Sequence, residues 1–170
     1  GKSTQVKLLA SRLRDRDVVV TREPGGTQQG EALRNLLVSG DVNTWTPVSE
    51  ALLNVASRTE HVRNVISASL AAGKVVICDR FMDSTRAYQG YAGGVDLALI
   101  DHLERVSVGI IRPHLTLVFD IAPELGLERT KRRGDDTETR FERKGLAFHQ
   151  ALRDAFRHIA EANPERCKLI

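Results

Sequence analysis

The stretch Lys74–Asp79 (KVVICD) is a continuous apolar run that ends in a carboxylate. A strand that is apolar at successive positions, instead of at alternate ones, is covered on both faces, which is the condition of a strand inside a parallel sheet. Asp17–Thr21 (DVVVT) has the same character and leads into the turn Pro24-Gly25-Gly26. Leu115–Ile121 predicts a third strand after Pro113, and Cys167–Ile170 the start of a fourth. Between these runs lie stretches of helical spacing: residues 2–14, 30–38, 46–72, about 96–108, a helix opening at Pro123, and 145–162. Thr46-Pro47 supplies an N-cap and a first-position proline, and Gly73 a stop. Such alternation predicts an α/β three-layer sandwich, a parallel sheet with helices on both faces. Ligands of such sheets bind beyond the carboxyl ends of the strands. Arg22–Gly26, Asp79–Arg80 and Asp120 are placed there.

A length of 170 residues suits one domain, expected to span 1–170. No apolar run approaches the ~18 residues that would cross a bilayer, so no membrane partner is expected. Cys78 and Cys167 sit in short apolar runs without metal-ligand spacing, as reduced thiols of a cytoplasmic protein would. The net charge of +3 concentrates between Arg129 and Lys144, where seven of sixteen residues are Lys or Arg and four are acidic. Three readings fit that run: a solvated helix end and loop, a site for a compact polyphosphate, or a nucleic-acid patch. The last ranks lowest, because no aromatic-rich or nucleic-acid-binding motif accompanies the charge.

Three motifs carry chemistry. Gly1-Lys2-Ser3-Thr4 matches the closing half of a P-loop, G-x-x-x-x-G-K-[ST], followed by a helix with Val6, Leu9, Ala10 and Leu13 on one face. Backbone N–H groups at such a helix start surround phosphates, the lysine reaches β/γ oxygens, and the hydroxyl binds Mg²⁺. The strand that would feed this loop, and the C-terminal end of the domain, are expected to lie outside the chain. Thr21-Arg22-Glu23-Pro24-Gly25-Gly26-Thr27 places an arginine and an acid beside two glycines that permit close backbone approach. The same residues also make an ordinary turn. Asp79-Arg80 closes a buried strand, where the acid can organise Mg²⁺ and the arginine can hold a phosphate by bidentate bonds. An internally satisfied Asp–Arg pair is the alternative. Met82 to Gly90 (MDSTRAYQG) then adds hydroxyl, phenol and amide groups suited to a sugar and a base.

Taken together, GKST, TREPGGT, Ala56-Ser57-Arg58 and DRFMDSTRAYQG resemble, in order and approximate spacing, the bacterial thymidylate kinase family of P-loop nucleoside-monophosphate kinases. The resemblance runs from Gly1 to Ile170. It implies transfer of the ATP γ-phosphoryl group to dTMP, with Mg²⁺, by a homodimer. Gly1, Lys2, Ser3 and Thr4 match the ATP-phosphate positions, and Ser3 and Asp79 the metal positions. Arg80 and Arg34 match arginines on the acceptor phosphate, with Glu23 and Pro24 beside them. Arg58 and Gln89 match contacts to the thymine edge, with Thr85 adjacent, and Tyr88 matches the aromatic near the deoxyribose. From the residues alone, Arg34 and Arg58 read equally as exposed helical arginines, and Tyr88 as a half-buried aromatic closing a turn.

The basic segment at about 132–144 matches the family's lid, with Arg132, Arg133, Arg140 and Arg143 as candidates to reach the transferring phosphoryl group. Arg140, which precedes Phe141-Glu142, is the first choice. One position departs from the family: Asn54 stands where a phenylalanine usually stacks on thymine.

Overall fold

The computed structural model describes residues 1–132 and 140–170. Its elements run α1 (Lys2–Arg12), β1 (Val18–Arg22), α2 (Gln28–Val38), α3 (Pro47–His61), α4 (Ser67–Ala71), β2 (Val75–Asp79), α5 (Met82–Thr85), α6 (Leu97–Val108), β3 (Thr116–Val118), α7 (Pro123–Arg132), α8 (Leu146–Ala162) and β4 (Cys167–Leu169). The strand and helix positions follow the apolar runs closely. Thr46 caps α3 by accepting from Ser49 N at 3.2 Å with Pro47 in the first turn, as its sequence predicts. Gly73, the predicted stop, has φ +73° just beyond α4. An L-side chain rarely adopts that conformation.

Two stretches differ from expectation. The predicted helix 46–72 is continuous but widens into a π-helical turn at Val62–Ile66, between α3 and α4. The motif that follows β2 is helical as well: α5 runs into a second π-helical turn, Arg86–Tyr91. Single π turns of this kind concentrate at functional sites, because they rephase the side chains that follow.

All strand pairing among the described residues is parallel. β1 pairs with β2 in the register Val18↔Val75 to Arg22↔Asp79, and β3 with β4 in the register Thr116↔Cys167 to Val118↔Leu169. The expected single sheet is therefore two hydrogen-bonded pairs, because no strand among the described residues bridges β2 and β3. Helix α1 packs on both β1 and β2, and α8 on β3 and β4. The buried residues of α8, Leu152, Ala155, Ile159 and Ala160, recur at helical spacing and meet Val118 and Cys167 in the largest apolar cluster. Burying a side chain such as Ile159 contributes roughly 1.5–3 kcal/mol. Tyr88, Phe148 and Phe156 pack against this cluster. A second cluster joins α3 to α6 through Ala51 and Ile100, and a third joins Val62, Ile66 and Val108 beneath Val76 and Phe81.

Candidate active site

The β1–β2 register puts Arg22 opposite Asp79, so the two polar motifs emerge side by side at the carboxyl ends of the strands. Glu23 N donates to Asp79 O at 3.0 Å and continues the ladder one residue further. The Glu23–Pro24 bond is cis, and Gly25 and Gly26 follow with φ of +135° and +78°. A Cβ on Gly26 would lie 2.5 Å from the His61 ring, and one on Gly25 2.5 Å from Glu31 Oε1. The buried His61 ring leaves Gly26 no room for a side chain, and the positive φ of Gly25 disfavours one there, so this Pro-Gly-Gly is more than a generic turn.

Behind this loop is a closed polar network. Glu23, Ser57, Arg58, His61 and Thr85 are all buried. Glu23 Oε2 accepts from Arg58 Nε at 2.7 Å, and Glu23 Oε1 lies 2.9 Å from His61 Nδ1. His61 Nε2 is 2.7 Å from Thr21 Oγ1, and Gly25 N donates to Ser57 Oγ at 3.2 Å. Arg58 Nη2 donates to Thr85 Oγ1 at 2.9 Å. Arg58 Nη1 is buried with no hydrogen-bond partner among the described residues. A charged donor left unpaired inside a protein carries a desolvation cost, and a ligand acceptor would remove it. The sequence alone left Arg58 as an exposed helical arginine; the structure buries it among the loop, α3 and α5.

Arginines gather at the mouth. Arg34 on α2 donates from Nη1 to Pro24 O at 3.1 Å. Burial lowers its pKa first, and the like charges of Arg22 and Arg80 lower it further. Arg22 is paired to Glu31 at 2.9 Å, and this bond holds the Glu31 carboxyl below its ordinary value. Arg80 has φ +68°, a left-handed backbone at a non-glycine residue. Such a conformation costs about 1–3 kcal/mol and persists only where its surroundings enforce it. Its guanidinium sits 5.0 Å from the centroid of the Tyr88 ring. Tyr88, ahead of the opposing cost of burial and with help from Asp79, holds the Arg80 pKa above its ordinary value. Cys78 donates its thiol to Arg80 O at 3.0 Å, and burial pushes that thiol far up, which makes it an inert structural group.

The remaining base-side residues are also in place. Gln89 is buried, and its Nε2 donates to Glu50 Oε2 at 2.8 Å. Tyr88 is half-buried and makes edge contacts with Phe141, Phe148 and Phe156. Asn54 turns its amide back to its own helix, donating to Glu50 O at 2.8 Å.

Gly1 caps α1, and Lys2, Ser3 and Thr4 form its exposed first turn. Because α1 packs on β2, this turn belongs to the same structural unit as Asp79. Ser3 and Asp79 together offer one hydroxyl and one carboxylate, a hard oxygen set. No cluster of three or more His, Cys, Asp or Glu among the described residues could hold a metal. One or two protein oxygens suit Mg²⁺ that arrives on nucleotide phosphates and keeps much of its coordination there.

The expected lid divides. Arg133 lies outside the described residues. Arg132 is exposed and pairs with Glu128 one turn away, and Arg143 donates to Gly40 O. Arg140 corrects the sequence-based expectation. It has no exposed surface, and its Nε donates to Leu37 O at 2.6 Å, its Nη1 to Val42 O at 3.3 Å, and its Nη2 lies 2.7 Å from Glu50 Oε1. Nε and Nη1 are hydrogen-bonded inside the fold, while Nη2 and Glu50 Oε1 form an ion pair without a hydrogen-bond partner for either atom among the described residues, so in this structure Arg140 anchors the segment following the lid.

Sequence reasoning missed Glu50 and His61, and it gave Ser57 no role of its own. His61 stands three residues after Arg58, on the same face of α3, and that spacing was the available signal.

Comparisons with known proteins agree with this geometry. The family model described as "Thymidylate kinase" matches residues 1–170. The chain is 51% identical, over 172 aligned positions, to the thymidylate kinase of Caulobacter vibrioides, covering 100% of this chain and 82% of that protein. It is 48% identical over 173 positions to the thymidylate kinase of a Bradyrhizobium species, covering 100% and 76% respectively. The crystal structure of thymidylate kinase from Ehrlichia chaffeensis superposes with a TM-score of 0.81 at 40% identity, covering 100% of this chain and 85% of that one. With a strained arginine at a strand end, an arginine-lined mouth and a buried Glu–Arg–Thr network behind it, the chain belongs to the thymidylate kinase family.

Proposed function

We infer that this chain transfers the γ-phosphoryl group of ATP to dTMP, giving dTDP. The observation that carries the reading is the pairing of two unlike sites across a few residues: cationic Arg34 and Arg80 at the mouth, and the orphaned Arg58 donor behind it. The first suits a phosphate dianion and the second a base carbonyl.

Phosphoryl transfer needs two anions held in line and their charge neutralised, with little covalent work for the protein. Lys2, with Gly1, Ser3 and Thr4 at the α1 N-terminus, holds the ATP phosphates. Arg34 and Arg80 hold the acceptor phosphate beside Glu23 and Pro24. Arg80 needs no reorganisation to do so, since its backbone and its Tyr88 contact already fix it. Tyr88 stands beside the deoxyribose, and Arg58, Thr85 and Gln89 read the base. Mg²⁺, held through Ser3 and Asp79 with the nucleotide, supplies further compensating positive charge. Arg132, Arg133 and Arg143 remain candidates to cover the transferring group.

A homodimer belongs to the same proposal. Val48 and Leu52 on α3 and Leu99 and Val106 on α6 are exposed apolar side chains on helices that pack together. No described helix is long and apolar enough to cross a membrane, and a cytoplasmic setting with reduced Cys78 and Cys167 completes the reading.

The test is a panel of deoxynucleoside monophosphates with ATP and Mg²⁺, with product diphosphate measured by chromatography. dTMP is the expected best acceptor. A different best acceptor, which the lack of a stacking ring at Asn54 would favour, overturns the substrate assignment. Absence of any diphosphate overturns the activity.

A further inference from the structure

We propose that Glu50 is a positioning residue that sets base selectivity by fixing which end of the Gln89 amide faces the substrate, a role that rests on the dTMP kinase activity proposed above. An amide has a donor end and an acceptor end of nearly equal shape, so its orientation comes from its partners. Glu50 is buried on α3 and its carboxylate accepts hydrogen bonds without donating any. With Gln89 Nε2 on Glu50 Oε2 at 2.8 Å, Gln89 Oε1 is turned away from Glu50. Thr85 stands one helical turn earlier on the same face and is bound by Arg58. The pocket therefore offers an acceptor from Gln89 and a donor from Arg58.

Thymine matches that pair with its N3–H and its O4. Cytosine presents the inverse, an acceptor at N3 and a donor at N4, and would leave both protein groups opposed by like partners. A site that must hydrogen-bond its substrate rejects an analogue that cannot reciprocate far more strongly than an apolar pocket does.

Glu50 is itself held. Arg140 Nη2 lies 2.7 Å from Glu50 Oε1, and Lys144 Nζ approaches the same oxygen at 4.0 Å. Arg140 is fixed in turn by Leu37 O and Val42 O, and its guanidinium lies 4.4 Å from the Phe141 ring centroid. Phe141 contacts Tyr88 edge-on at 5.6 Å. The segment following the lid is thus tied to the acceptor pocket twice, through Arg140–Glu50–Gln89 and through Phe141–Tyr88.

The test compares kcat/KM for dTMP and dCMP in the full chain and in Glu50→Gln, Gln89→Leu and the double variant. A glutamine at position 50 can donate or accept, which frees the Gln89 amide to turn over. Glu50→Gln is expected to lower the dTMP-to-dCMP ratio by about tenfold or more, and to have no further effect on the ratio in the Gln89→Leu background. An unchanged ratio, or an equal drop with and without Gln89, overturns the role. Should Glu50→Gln lack a cooperative melt, Glu50→Gln with Arg140→Met, which removes both charges, is read in the same way. On the unaltered chain, N3-methyl-dTMP is expected to bind at least tenfold more weakly than dTMP. Equal binding overturns the acceptor orientation. dTMP turnover with an unchanged ratio sinks Glu50 alone, whereas no dTMP turnover sinks the activity itself.

Discussion

Arg58 and Glu23 meet at 2.7 Å with 2% and 3% of their side chains exposed, joining the last turn of α3 to the residue that follows β1. Removing one partner of a buried ion pair leaves the other charge uncompensated, which typically costs about 3–5 kcal/mol. Arg58→Ala is expected to lose stability on that scale in urea unfolding and to raise KM for dTMP. The double change Glu23→Gln with Arg58→Met, which leaves no stranded charge, should cost distinctly less. Equal losses in the two would show that the pair is not the source.

Gly26 is expected to tolerate no side chain. Gly26→Ala would meet the His61 ring at 2.5 Å and force an L-residue to φ +78°. Overpacking alone costs about 1–3 kcal/mol, and the unfavourable backbone adds to it. Thermal unfolding checks this, and a Tm within a degree of the unaltered chain would contradict the packing of His61 against the loop.

Charge neutralisation at the mouth predicts a division between two arginines. Arg80→Ala should reduce turnover severely, by the ~10³-fold or more that an arginine acting on a phosphoryl transition state contributes. Arg34→Ala should act mainly on KM for dTMP. Steady-state kinetics separates the two, and near-normal turnover in Arg80→Ala would remove its assignment. Arg140→Ala, by contrast, should lower stability and base selectivity ahead of turnover.

Glu104 on α6 gives a pH signature. It is buried, burial raises its pKa above the ordinary 4.5 against the pull of Arg86, and its Oε1 has no hydrogen-bond partner among the described residues. A carboxyl whose folded pKa is raised contributes stability below the unfolded value, and loses it as pH climbs through the folded value. Glu104→Gln, which cannot ionise, should therefore stabilise the protein at pH 7. The gain should grow as pH rises from 4.5 and level off once the folded group is ionised. Denaturant midpoints from pH 4 to 8 measure this, and a gain largest in acid would reverse the sign.

Local signals carried most of the architecture. The apolar runs at β1 and β2, the Thr46-Pro47 start and Gly73 each depend on residues within a few positions, and each lies in its predicted element, although β1 and β2 are only partly covered where full burial was expected, with Val20 exposed. The helical winding of Met82–Tyr91 was not legible, because its π-helical turn is shaped by packing against α3, α6 and α8. Arg140 illustrates the harder limit. Its identity within a basic segment points outward, and only Glu50 and Leu37, about a hundred residues earlier, draw it inside. Arg58 and Asn54 lie on a helix as read, but the residues alone did not fix their directions, since one is held by Glu23 across the fold and the other by its own helix backbone.

The left-handed backbone at Arg80 sets function against robustness at a single position. Glycine would adopt φ +68° without steric cost, yet it would also delete the guanidinium at the pocket mouth. A laboratory selection for heat tolerance alone, blind to turnover, should accumulate glycine at position 80. The same selection run under a requirement for thymidine nucleotide synthesis should never do so.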